Sequence, residues 1–328
     1  MNKVRVDSEA PPLDGEGLGW GGVRRKADRG RVLHPYPAIA AAGSSPERTR
    51  ERPQSHQGEG LDLRAALAAA ASRLAAVSDT PRLDAELLMA HALGVGREAL
   101  LLHRLDEPAP AAFAALLERR LAYEPVAYII GRRAFWTIAL EVGPGVLVPR
   151  PDSETLLEAA VVRFGKRGPA RILDLGTGPG TLLLAALDQW REATGLGVDA
   201  SEEALAYARR NARGRASFRL GDWGAGLEER FDLILCNPPY VEAGADLPPD
   251  VARYEPGSAL YAGADGLDAY RALAPQFARL LALGGIVCLE IGAGQEMAVS
   301  ALMAAEGFTI ESRSDLGRIV RCLILSLI

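Results

Sequence analysis

A short apolar run, residues 171–175, passes directly into Gly176-Thr177-Gly178-Pro179-Gly180 and then into an apolar helical pattern over 181–190. Strand, glycine turn and helix in that order open a doubly wound α/β sheet. Glycine alone lets the backbone turn that sharply and approach a ligand with no Cβ in the way. Amides at the start of the helix offer donors to an anionic group. The next strand pattern, 195–198, ends in Asp199, about twenty residues past the turn, where a carboxylate is placed to accept both hydroxyls of a ribose. The segment predicts an α/β fold with a mostly parallel sheet and a nucleotide-like ligand at the carboxyl ends of its strands.

The spacing narrows the ligand. Dinucleotide sites use G-x-G-x-x-G because a pyrophosphate sits on the helix N-terminus. Here Asp174 stands two residues before the first glycine, and negative charge there repels a pyrophosphate but suits the α-ammonium of a methionine moiety. A third strand pattern, 216–220, runs into Gly221-Asp222-Trp223, a carboxylate and an indole for the amine and the face of an adenine. The reading is therefore S-adenosylmethionine, with contacts expected from Asp174, Gly176, Thr177, Gly178, Pro179, Gly180, Asp199, Asp222 and Trp223.

The fourth strand pattern, 231–236, leaves the sheet at Asn237-Pro238-Pro239-Tyr240. Two prolines fix two φ angles and remove two N–H donors, so a stiff set of acceptors remains. The Asn237 side-chain oxygen and the Pro238 carbonyl can both face one guest NH2, with Pro239 and Tyr240 as flat walls. That arrangement suits a planar amide or an exocyclic amine, and it places Asn237, Pro238 and Tyr240 at the chemistry, with Asn237 also against the cofactor. A sulfonium methyl is already activated, so the protein mainly has to align donor, carbon and acceptor. No side chain demands assignment as a general base.

Around this centre the chain divides into a polar arm without apolar periodicity (1–58), an Ala/Leu-rich helical bundle (59–123), a linker (124–150) and the catalytic domain (151–328). The bundle is read as helices over 61–77, 83–93, 97–105 and 111–123 and as a surface for a protein substrate. The linker is read as a hairpin of strands 127–130 and 135–142 around Gly131, with Phe135-Trp136 packing the domains together. Later residues predict a helix over 151–164, a lid or platform over 242–266, a helix over 267–283, a strand over 285–291 and a helix over 296–306. Strands over 308–311 and 319–327 then give the sheet an antiparallel finish. Cys236, Cys288 and Cys322 lie in apolar runs without C-x-x-C spacing, so no metal site and no disulfide are expected. A net charge of −5 argues against a broad nucleic-acid footprint, and no apolar run is long enough for a membrane span. A soluble, cytoplasmic protein is expected.

Residues 174–180, Asp199, Trp223 and 237–240, with Glu124-Pro-Val-Ala-Tyr-Ile-Ile-Gly131 and Pro149-Arg-Pro-Asp-Ser-Glu154, resemble the peptide-chain release factor glutamine methyltransferases of the HemK/PrmC type. The resemblance runs from about residue 61 to the C-terminus. It implies a Rossmann-like, seven-stranded class I methyltransferase domain behind a helical domain. It also implies methylation of the glutamine amide in the Gly-Gly-Gln motif of class I release factors, with Asn237, Pro238, Pro239 and Tyr240 holding the glutamine. Tyr254-Glu-Pro256 and Asp265-Gly-Leu267 are also similar to the family. Pro179 departs from the Thr or Ser expected there and removes one N–H from the loop. Two other substrates suit the same tetrapeptide, a ribosomal-protein glutamine and a DNA adenine amine, and the latter calls for a Lys/Arg-rich surface that this chain lacks.

Overall fold

The structure is a computed structural model and describes residues 62–327. The arm expected over 1–58 lies outside the described residues. From Asp62 the chain forms α1 (Leu63–Leu74), α2 (Pro81–Ala92), α3 (Arg97–His103) and α4 (Ala112–Leu121). Local chemistry sets their ends. Asp62 caps α1 by accepting the Ala65 N–H at 2.7 Å, and Pro81 starts α2 where a missing N–H breaks no helical bond. Leu63, Leu67, Leu88, Met89 and Leu100 bury their side chains in a core of their own, which Ile129 of the following segment also joins.

A buried ion pair ties the bundle together. Asp84 accepts from Arg120 Nε at 2.8 Å, Ser78 Oγ at 2.8 Å and Thr80 Oγ1 at 3.1 Å. Arg120 is only 5% exposed and also faces Asp250, in the 242–266 segment, at 3.6 Å. Arg120→Met leaves Asp84 buried without its counter-charge. We expect it to lower the free energy of unfolding by about 3–5 kcal/mol, read by chemical denaturation. A loss under about 1 kcal/mol would mean that the hydroxyls alone satisfy the carboxylate.

The linker corrects one expectation. Residues 127–130 belong to a short helix, α5 (Val126–Ile130), not to a strand. Pro125 precedes it with φ −57°, Gly131 ends it in the left-handed region at φ +71°, and Ala127, Tyr128 and Ile129 are buried. A brief apolar run carries no period that separates one buried helical turn from a strand. The hairpin follows as β1 (Arg132–Phe135) and β2 (Ile138–Glu141), turning at Trp136, whose φ is +52°, rather than around Gly131.

After a 3-10 turn, Pro151–Ser153, come α6 (Glu154–Phe164), β3 (Arg171–Leu175), α7 (Thr181–Gln189), β4 (Thr194–Asp199), α8 (Glu202–Ala212), β5 (Ser217–Leu220) and β6 (Phe231–Cys236). The chain continues through α9 (Pro249–Tyr254), α10 (Asp268–Leu280), β7 (Leu281–Glu290), α11 (Glu296–Ala305), β8 (Phe308–Ser314) and β9 (Val320–Leu327). The helix expected to reach 283 stops at Leu280, and β7 starts at once because Leu281 already pairs with Phe231 and is fully buried. Here the apolar run hid the boundary.

The seven strands lie in the order β5-β4-β3-β6-β7-β9-β8. The first five are parallel, and β9 runs antiparallel to both of its neighbours. Along β6, Leu233 and Leu235 pack into one core while Ile234 and Cys236 pack into the other. Burial on both faces is why this strand reads as an unbroken apolar run. All three cysteines are buried and unbonded. No helix among the described residues is long and apolar enough to cross a membrane.

Candidate active site

The strand order reverses between β3 and β6, where open α/β sheets leave a crevice beyond their carboxyl ends. Register sets what stands there. Leu175 pairs with Val198 on one side and Cys236 on the other, and Cys236 pairs with Leu289. One residue further along, Asp199, Gly176, Asn237 and Glu290 form a single row across four strands. Asp199 pairs in turn with Leu220, so Gly221-Asp222-Trp223 extends the row at one end.

The glycine loop is braced from two directions. Gly176, Gly178 and Gly180 have φ of +72°, +56° and +88°, a region that disfavours any side chain. From inside, Asp174 Oδ2 accepts from Thr177 Oγ1 at 2.7 Å and from the Leu183 N–H at 3.1 Å, tying the loop to α7. Burial pushes the Asp174 pKa up to about 7, and both of these bonds fall on the one oxygen. From outside, Asp199 accepts the Gly178 N–H on Oδ2 and the Ser201 N–H on Oδ1, each at 2.8 Å. Burial raises its pKa as well, against these two bonds. A Cβ on Gly176 would stand 3.3 Å from the Trp223 ring, so the indole closes directly over the loop.

Two adjoining cavities result. The larger, about 310 Å³, has Asp199, Ser201, Asp222, Trp223 and Pro256 among its lining residues. The smaller, about 50 Å³, is bordered by Asp174, Thr177, Pro179, Arg150 and Ser153. Leu147, Gly176, Gly178 and Asn237 line both. A nucleoside-sized space with carboxylates and an indole, continued by a short pocket with a buried carboxylate, fits an adenosyl group carrying a charged tail. Gly180 lines neither cavity and caps α7 instead. Pro179 keeps its carbonyl engaged with Asn211 Nδ2 at 2.9 Å.

The tetrapeptide is held from behind. Asn237 Nδ2 donates to Ser153 Oγ at 3.0 Å. Pro239 lines the larger cavity, and Pro238 is buried beside it. The Tyr240 carbonyl accepts from Gln295 Nε2 at 3.0 Å, and a Cβ on Gly266 would come within 2.5 Å of that carbonyl. Only glycine fits there, which gives Asp265-Gly-Leu267 its structural role. Tyr240 and Pro238 line neither cavity, and burial pushes the Tyr240 hydroxyl up to about 12, so it stays neutral.

Sequence reasoning missed several neighbours. Leu147 and Val146 enter the cleft from the loop after β2, where Tyr128 Oη donates to the Val146 carbonyl at 2.5 Å. Glu255, which is buried, pairs with Arg150 at 2.6 Å and accepts the Val148 N–H at 3.4 Å, joining the 241–266 segment to that loop. Pro256, Ser258 and Ala259 of the same segment form a cleft wall. Leu147 and Val146 carried no local signal; Glu255 and Pro256 lie in the family-like Tyr254-Glu-Pro256 and in the 242–266 stretch expected as a lid or platform, but had no role assigned. Glu290 did carry a signal: it is an acidic residue at the end of a buried apolar strand, two residues before a glycine, the pattern that singled out Asp174. Phe135 and Trp136 pack into the core and line neither cavity.

Comparison with known proteins agrees with this geometry. The family described as PrmC N-terminal domain matches residues 65–131, and the one described as Methyltransferase domain matches residues 167–305. The release factor glutamine methyltransferase of Rhodospirillum rubrum is 45% identical over 257 residues, covering 75% of this chain and 79% of that protein. This chain belongs to that family. The release factor glutamine methyltransferase of Caulobacter vibrioides is 45% identical over 242 residues, covering 70% and 84% of the two chains. That of Bradyrhizobium diazoefficiens is 38% identical over 279 residues, covering 80% and 94%. The PrmC N-terminal match takes in most of α1, all of α2 to α5, and Gly131, so the helical bundle is as much a part of the release factor glutamine methyltransferase pattern as the sheet.

Proposed function

We propose that the chain transfers a methyl group from S-adenosylmethionine to the side-chain amide nitrogen of the glutamine in the Gly-Gly-Gln motif of class I release factors, in the cytoplasm. Family membership supports the reaction. The observation that carries the residue assignment is the register that sets Asn237 beside the glycine loop, at the junction of both cavities.

Bound in the two cavities, the cofactor supplies a methyl activated by its sulfonium. Asp199 and Asp222 would hold the sugar and base end, Trp223 the ring and Asp174 the ammonium. The acceptor is the harder partner. An amide nitrogen has its lone pair delocalised into the carbonyl, and positive charge grows on it as it attacks. Asn237 Oδ1 and the Pro238 carbonyl accept its two N–H hydrogens, orient the nitrogen and stabilise that charge. Tyr240 and Pro239 hold the group flat. The proton leaves to water after transfer.

Labelled S-adenosylmethionine offered separately with a release factor, its Gln-to-Ala version and duplex DNA tests the assignment. Label is expected on the first alone. Label on the Ala version or on DNA would overturn it.

A further inference from the structure

Asn237 can act as an acceptor only if its amide presents oxygen to the guest, and its contact with Ser153 does not by itself enforce that. A hydroxyl donates or accepts, so Ser153 would tolerate either face of the amide. The choice is made one group further back. Glu290 follows Leu289, the β7 partner of Cys236, so it stands beside Asn237 at the strand tips. Ser153 is 2% exposed and Glu290 1%. Glu290 Oε2 is buried with no hydrogen-bond partner, and its Oε1 lies 3.5 Å from Tyr240 Oη. A buried oxygen without a donor is destabilising, and the buried Ser153 hydroxyl, held 3.0 Å from Asn237 Nδ2 at the same strand tips, has a proton to give. Were that proton given to Glu290, the Ser153 oxygen could only accept from Asn237 Nδ2. Asn237 Oδ1 is then left facing the cleft.

We propose that Ser153 and Glu290 are positioning residues that set the amide orientation of Asn237, Glu290 acting through the Ser153 hydroxyl. The inference rests on the role assigned to Asn237 above. It requires Glu290 ionised, since only the carboxylate is an acceptor alone. Burial pushes its pKa up to about 7, Ser153, Arg321 and Tyr240 oppose the rise, and Asp152 adds to it. Cys236, Tyr270 and Cys322 also face it and, with pKa values raised, stay neutral near pH 8. Assays at pH 8 therefore sample the carboxylate.

Glu290→Gln keeps the shape but adds an NH2 that can donate to Ser153, releasing the serine proton to Asn237 Oδ1 and turning Nδ2 toward the substrate. Ser153→Ala removes the link altogether. Single-turnover transfer to the release factor, cofactor Kd and the thermal midpoint are measured for both variants, for the double variant and for Asn237→Ala. Each single change is expected to slow transfer at least tenfold; cofactor Kd is expected to stay within threefold in Glu290→Gln, since Glu290 lines neither cavity, and is measured in Ser153→Ala so that transfer is compared at saturating cofactor. The double variant should be no slower than the slower single, because both changes break one chain. Effects that multiply in the double variant would overturn the proposal. So would transfer within twofold of the native rate in Ser153→Ala, a test that stands even if Glu290→Gln fails to fold. If those variants are near native while Asn237→Ala is inactive, this inference alone fails. If Asn237→Ala itself is near native, the underlying reading fails with it.

Discussion

Asn237→Ala is expected to slow methyl transfer about 10²–10³-fold while leaving the fold intact and cofactor affinity within tenfold. The magnitude follows from what the side chain does and when. In the ground state an amide N–H bonded to Asn237 gains little over one bonded to water. As the nitrogen attacks, charge develops on it, and an acceptor already fixed by the rigid Asn-Pro-Pro backbone needs no reorganisation. The Pro238 carbonyl survives the substitution, so part of the stabilisation remains. The side chain is only half-buried, and its removal leaves β6 untouched because the residues that pack the strand, Leu233 to Cys236, precede it. Single-turnover rates, with cofactor binding measured separately, decide the matter. A rate within threefold of native would remove Asn237 from the chemistry.

The second large effect is predicted for Asp199→Asn, read as cofactor affinity. Both carboxylate oxygens accept backbone N–H groups, one from Gly178 and one from Ser201. An asparagine offers one oxygen and one NH2, so one of those N–H groups must face another donor. Hydrogen bonds to charged groups contribute about 1.5–3 kcal/mol each, and the loss falls on the loop that shapes the cleft. The ribose also loses an acceptor. Together these give an expected rise in cofactor Kd of about 100-fold by calorimetry. A change under threefold would mean that Asp199 neither braces the loop nor meets the sugar.

Much of this architecture was legible because strands buried on both faces cannot hide. The runs at 171–175 and 231–236 agree with β3 and β6 residue for residue, and the polar groups that end them had to lie at the strand tips. Where the reading failed, local pattern and tertiary context disagreed. Residues 127–130 are apolar enough for either structure, and only their burial, with Pro125 and Gly131 at the ends, makes them helical. The boundary at Leu280 is invisible because helix and strand are both apolar there. In the site, residues carried by the parallel strands were readable from spacing. Ser153, which lines the smaller cavity, and Glu255 and Gln295, which hold Arg150 and the Tyr240 carbonyl, were not, since each comes from a segment whose placement depends on long-range packing. The family-like residues at 254–256 and 265–267 acquire a physical account only in three dimensions, through the Glu255–Arg150 pair and the close approach of Gly266 to the Tyr240 carbonyl.

The most direct test is a crystal structure of the enzyme with the demethylated cofactor and a glutamine-bearing release factor or peptide. The glutamine amide nitrogen is predicted to lie about 2.7–3.2 Å from both Asn237 Oδ1 and the Pro238 carbonyl, with Tyr240 alongside and the sulfur in line. An amide nitrogen bound to other groups, or Asn237 presenting its NH2 to the substrate, would contradict the account.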